Sequence, residues 1–77
     1  MGSGGHKLNS ETFTPDGVQT IWPLQPYVSG SVEMELGGIL QNGSGFFLET
    51  DPANGVVTTT SAPAIGSGPL IFSYTRA

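Results

Sequence analysis

The sequence predicts an all-β fold: a small antiparallel β-sandwich of six or seven short strands in a single domain. Three observations predict it. Twelve glycines and six prolines punctuate the 77 residues at short intervals, which leaves no clean window for a long helix. Helical apolar spacing is absent. Apolar residues instead recur with the two-residue period of a strand, most clearly over Ser31–Leu36 and Leu70–Thr75.

The elements follow in order. Glu11–Thr14 reads as a short first strand with Phe13 pointing inward. Pro15-Asp16-Gly17 is a turn, since proline presets φ and glycine accepts positive φ. A second strand is expected from Val18 to about Trp22. Pro23 and Pro26 cannot donate to a ladder, so Pro23–Gly30 reads as an edge or a crossing loop. In Ser31–Leu36, Val32, Met34 and Leu36 alternate with Ser31, Glu33 and Glu35, the pattern of a half-buried strand. Gly37-Gly38 then makes either a tight hairpin or a bulge before Ile39-Leu40.

Asn42-Gly43 is a two-residue turn signal. Gly45–Thr50 carries Phe46, Phe47 and Leu48 as the next strand, and Asp51–Gly55 turns again. Val56–Ser61 is β-branched almost throughout, which suits a pleated surface. Ala62–Pro69 is a loop of small residues. In the closing strand Leu70, Phe72 and Tyr74 alternate with Ile71, Ser73 and Thr75. Residues 1–8 are expected to form a flexible arm, native or an expression scar, ahead of a sandwich over residues 9–77.

Composition narrows the function. Charged residues are only 10% of the chain, and Lys7 and Arg76 are its only basic residues against six acidic ones. A nucleic-acid ligand needs a basic footprint, and an anionic membrane surface needs one too. Neither partner is expected. No apolar run approaches the roughly 20 residues of a membrane helix. The N-terminus has no basic stretch leading into an apolar core, so no signal peptide is expected. A domain this short buries only about 60% of its unfolded surface and commonly needs a staple. There is no cysteine to supply a disulfide or a thiolate metal site. Oligomerisation, or docking on a larger assembly, is the support that remains.

Individual residues offer little chemistry. His6 is a lone histidine with no second ligand beside it, whereas a metal site wants three or four. Glu33 and Glu35 stand about 6–7 Å apart on one strand face. That separation suits a glycosidase pair of roughly 5–9.5 Å, yet on a wetted face nothing raises the pKa of a general acid. They read instead as a solvating face that keeps the strand from pairing edge to edge. No serine has a histidine placed to activate it. Gly43-Ser44-Gly45 and Gly66-Ser67-Gly68 precede no helix that would cradle a phosphate. Trp22, Tyr27 and Phe47 are the candidate partner-binding aromatics, joined by His6 and Lys7 of the arm; their alternative role is to close the ends of a small core. Thr58–Thr60 is either a self-pairing edge or simply a good strand.

The order of residues resembles a known family. Phe13-Thr14-Pro15-Asp16-Gly17-Val18-Gln19-Thr20 opens the pattern, followed by Pro23-Leu24 and Gly30-Ser31-Val32. Gly37-Gly38-Ile39-Leu40-Gln41, Gly55-Val56-Val57-Thr58 and Ala62-Pro63 continue it, and Tyr74 closes it. This resembles the small β-sandwich module of tailed-bacteriophage virion proteins, of the tail-fibre, baseplate and decoration type. Gly37 departs from the pattern, which has asparagine there, and the stretch between Gln41 and Gly45 is short for it. The resemblance covers about Thr12–Thr75. It implies a non-enzymatic structural protein with no catalytic residues and no cofactor. A chain running from Met1 to Ala77 resembles a free-standing accessory protein that decorates or cements a capsid or tail exterior. Its expected partners are other virion proteins or itself, as in a homotrimer. It would be made in the host cytoplasm and end on the virion exterior. The alternative is a receptor-binding module of a tail fibre, touching host glycan or protein.

Overall fold

In the last strand every second side chain is withdrawn from water: Leu70, Phe72 and Tyr74 are fully buried and the residues between them are not. That alternation organises the fold. The computed structural model describes residues 8–41 and 45–77. It contains β1 (Leu8–Phe13), β2 (Ile21–Pro23), β3 (Glu33–Leu36), β4 (Ile39–Leu40), β5 (Phe47–Asp51), β6 (Val56–Thr59) and β7 (Leu70–Thr75). One short 3₁₀ turn, Pro52–Asn54, joins β5 to β6.

The strands form two antiparallel sheets, a four-stranded one in the order β1-β7-β3-β4 and a three-stranded one in the order β2-β6-β5. Their inner faces share one core of Trp22, Leu24, Tyr27, Val32, Met34, Phe47, Val57, Leu70, Phe72 and Tyr74. Phe72 lies at its centre, edge-on to Phe47 at 6.1 Å and to Phe13 at 6.2 Å between ring centroids. Such tilted geometries suit the aromatic quadrupole. The chain is therefore the small β-sandwich that its turn spacing and strand alternation predict.

Several boundaries differ from expectation, each for a local reason. β1 is longer and begins at Leu8, because its backbone pairs with β7 in unbroken register from Leu8 opposite Thr75 to Phe13 opposite Leu70. β2 starts only at Ile21. The Asp16 carboxylate accepts from the Val18 and Gln19 amides at 2.9 and 2.7 Å, which holds Val18 to Thr20 in a loop. Gly37-Gly38 is the tight hairpin, pairing Leu36 with Ile39. Gly37 has φ +61°, and a Cβ there would lie 2.5 Å from the Ser67 carbonyl oxygen. The turn expected at Asn42-Gly43 lies outside the described residues, as do Gly43-Ser44 and residues 1–7 of the expected arm.

Two readings of edges are corrected. β3 is paired on both sides at Glu35, with Ile71 of β7 and Leu40 of β4, so Glu35 does not guard a sheet edge; Glu33 lies beyond the end of the two-residue β4. β6 is the central strand of its sheet, so Thr58 and Thr59 form no self-pairing edge.

Candidate functional site

The expected aromatic anchors are internal. Trp22, Tyr27 and Phe47 are 0, 2 and 7% exposed. Trp22 sits on the middle row of β2 opposite Val57, and its indole N–H donates to the buried Thr59 hydroxyl at 3.2 Å. Thr59 passes the chain on to the Thr20 carbonyl at 3.4 Å. Tyr27 packs edge-on to Tyr74 and donates its hydroxyl to the Val56 carbonyl at 2.7 Å. Burial, with the nearby Glu49 carboxylate, pushes the Tyr27 phenol up to about 12. These side chains close the core, so none of the three offers a surface for stacking on a sugar or anchoring a partner. His6 and Lys7 lie outside the described residues.

Polar side chains mainly tie loops to strands. The Glu49 carboxylate on β5 reaches across to the loop before β3, accepting from the Gly30 amide at 2.6 Å and the Val32 amide at 3.1 Å. It thereby joins the two sheets at one end. The Tyr74 hydroxyl donates to Glu11 of β1 at 2.9 Å and accepts from the Gln25 amide at 3.0 Å. Among the described residues no buried side-chain nitrogen or oxygen lacks a partner. No three His, Cys, Asp or Glu side chains gather there as a metal cage. Asp16, held by two amides, titrates below the usual carboxylate range, but it stands in solvent as a turn residue. Glu33 and Glu35 lie on the outer side of β3, paired across to Ser73 and Ile71.

What remains is the surface, and its two broad faces differ. Directly opposed residues share a side of the sheet. The outer face of the four-stranded sheet therefore carries a row of Ser10, Ser73 and Glu33, and a second row of Thr12, Ile71, Glu35 and Leu40. Hydroxyls and carboxylates dominate it. The outer face of the three-stranded sheet carries Ile21, Thr58 and Leu48 in one row and Pro23, Val56 and Asp51 in the next. Ile21 is 61% exposed and Leu48 is 48% exposed. Thr50, Thr58 and, at the turn end, Asp51 are the polar members; the two threonine hydroxyls lie 3.1 Å apart, bonded to each other, and the Asp51 carboxylate accepts from the Asn54 side-chain amide at 2.8 Å.

Apolar exposure also favours one end. Phe13, Ile21, Leu36, Phe47, Thr59 and Leu70 all lie at the end marked by the β3–β4 hairpin. The exposed Val18, Ile39, Phe46 and Ile65 belong to the turns and strand termini of that same end. Only Val28, among the exposed large apolar residues described, belongs to the opposite end, where its amide donates to Thr75. A cleft of about 210 Å³ opens between the sheets at the hairpin end, lined by Met34, Leu36, Phe46, Thr59 and Pro63 among others. That is smaller than an ordinary ligand pocket of roughly 300–1,000 Å³, and suits at most one inserted side chain.

Reading single aromatics missed this surface. A signal was present in the strands themselves. Ile21-Trp22, Phe47-Leu48 and Val56-Val57 are each apolar at consecutive positions, hence apolar on both faces of their sheet. The strands of the other sheet mostly alternate.

No helix among the described residues is long and apolar enough to cross a membrane. No known family model matches the chain, and no curated protein or solved structure is detectably similar to it.

Proposed function

We propose that the chain is a non-enzymatic structural protein of a tailed-bacteriophage virion, a small accessory module that docks on the capsid or tail exterior. The observation that carries this reading is the row of Ile21 and Leu48, exposed on the outer face of the three-stranded sheet, together with the exposed apolar residues of the hairpin end. A small domain does not gain from leaving such a face in water, and contiguous exposed apolar surface marks interaction sites. The sequence resemblance supplies the virion context, and the acidic, hydroxyl-rich opposite face suits the side turned to solvent. The shortage of basic residues sets nucleic acid aside as the partner.

The test is co-sedimentation of the purified chain with particles of the phage that encodes it. The chain should saturate at a fixed copy number per particle. Ile21→Asp and Leu48→Asp should abolish binding, while Glu33→Gln should not. Binding that ignores both face substitutions would overturn the docking reading, and absence of binding would overturn the virion reading.

A second reading is a receptor-binding module of a tail fibre. Phe46, 47% exposed beside the hydroxyls of Thr60 and Ser61 at the cleft, is what favours it. It predicts host-cell binding that Phe46→Ala removes.

A further inference from the structure

We propose that β1 is a self-pairing strand: its edge, unpaired among the described residues, joins the β1 edge of a second copy of the chain, antiparallel, about a two-fold axis at Ser10. This inference goes beyond the virion reading and stands independently of it.

Among the described residues the sandwich has four edge strands, β1 and β4 on one sheet and β2 and β5 on the other. Unpaired edges template association unless they are short, bulged or interrupted by proline. Three of the four are guarded in these ways. β4 is two residues long. β2 is three residues long and ends in Pro23, which has no amide hydrogen. β5 breaks register between Leu48 and Asp51 and runs straight into Pro52. β1 has none of these features. It is six residues long, contains no proline and keeps its register with β7 throughout. Its outward residues Ser10 and Thr12 are small and uncharged. Its one charge, Glu11, turns inward and accepts the Tyr74 hydroxyl at 2.9 Å, so it is held back in its own sandwich.

The side-chain pattern selects both partner and register. Asn9, Glu11 and Phe13 lie opposite Tyr74, Phe72 and Leu70, and so form the inward set. Residues facing each other across a strand pair share a side of the sheet, so a two-fold axis must pass through a residue rather than between two. An axis at Glu11 would set two carboxylates opposite each other. An axis at Ser10 instead sets Asn9 against Glu11 of the other copy, twice, with Ser10 facing itself. It sets a neutral side chain, rather than a second carboxylate, opposite Glu11 on the inner side, and hydroxyl opposite hydroxyl on the outer. An axis at Asn9 or Thr12 would overlap fewer residues of the strand. The product is a continuous eight-stranded sheet, and both apolar faces of the three-stranded sheets stay free.

The experiment is sedimentation velocity of the full chain over a dilution series, with Ser10→Lys alongside. The wild type should show a reversible monomer–dimer equilibrium. Ser10→Lys, which sets two ammonium groups across the axis, should weaken it by about fivefold or more at unchanged melting temperature. Single-cysteine variants test the register, since the chain has no other cysteine. With diamide as oxidant, Ser10→Cys should crosslink rapidly, because directly opposed Cβ atoms lie about 4.5–5.5 Å apart. Thr12→Cys should not, because it faces residue 8 of the other copy. A monomer at every concentration would overturn the proposal. A trimer, a dimer indifferent to Ser10→Lys, or equal crosslinking of the two cysteine variants would overturn it as well.

Discussion

The two sheets of this sandwich share a core but present opposite surfaces. On the four-stranded sheet, apolar residues alternate with Ser, Thr and Glu, so one face is buried and the other is wetted. On the three-stranded sheet, Ile21, Leu48 and Val56 sit behind Trp22, Phe47 and Val57, so apolar side chains stand on both faces, with Thr58 and Asp51 beside them on the outer one. The difference teaches where to look for an interaction surface in this domain. A strand that alternates has finished its burial within its own fold, whereas one that is apolar on both sides has a face left to cover.

The largest expected effect tests the inner side of that comparison. Trp22→Ala removes a fully buried indole that both sheets pack on, and should cost about 3–5 kcal/mol, enough to unfold much of so small a domain. Urea denaturation followed by far-ultraviolet circular dichroism measures it. A fully folded, equally stable variant would mean that Trp22 is a surface anchor after all.

Next comes the link between the sheets. Glu49→Ala leaves the Gly30 and Val32 amides without their acceptor, and should cost about 1–3 kcal/mol in the same experiment. Glu49→Gln keeps an acceptor oxygen and should cost less.

The outer faces should respond differently from the core and from each other. Ile21→Ser and Leu48→Ser should change stability by only about 0.5 kcal/mol, as surface substitutions do, yet abolish docking on particles. Glu33→Gln and Glu35→Gln should change neither. Parallel melting and co-sedimentation measurements separate these outcomes.

Two further effects are in pH. The Tyr27 phenol titrates at about 12 in the fold and at about 10 in the unfolded chain, so ionisation favours unfolding. Its contribution is complete below pH 10 and is lost between pH 10 and pH 12. The melting temperature should fall across that window, and less steeply in Tyr27→Phe. Asp16 acts in the opposite sense. Its lowered pKa contributes stability above the ordinary carboxylate value of 3.8, which is lost as pH falls through the folded value. Asp16→Asn should flatten that acid limb slightly.

Much of this architecture is legible in the sequence. The alternation in Ser31–Leu36 and Leu70–Thr75 predicts β3 and β7 because a half-buried strand imposes a two-residue period. Glycine and proline signals predict the turns at Pro15–Gly17, Gly37-Gly38 and Asp51–Gly55. The register of β1 was harder to read, since Leu8–Thr12 has no apolar alternation and owes its pairing to β7. β2 begins later than its composition suggests because the Asp16 side chain competes for the backbone of Val18 and Gln19. The aromatic candidates misled for a related reason. Trp22, Tyr27 and Phe47 sit near prolines or strand ends, where exposure is common, and only the tertiary pairing of two sheets buries them. The apolar side chains on the outer face of the three-stranded sheet are legible as consecutive apolar residues, but their grouping depends on the strand order β2-β6-β5, which no local pattern encodes.

The measurement that most directly tests the docking account is a cryo-electron microscopy reconstruction of phage particles carrying the chain. The account predicts the chain on the particle exterior with Ile21, Leu48 and Val56 against the shell or tail and Glu33 and Glu35 facing solvent. The reverse orientation, or particles without the chain, would contradict it.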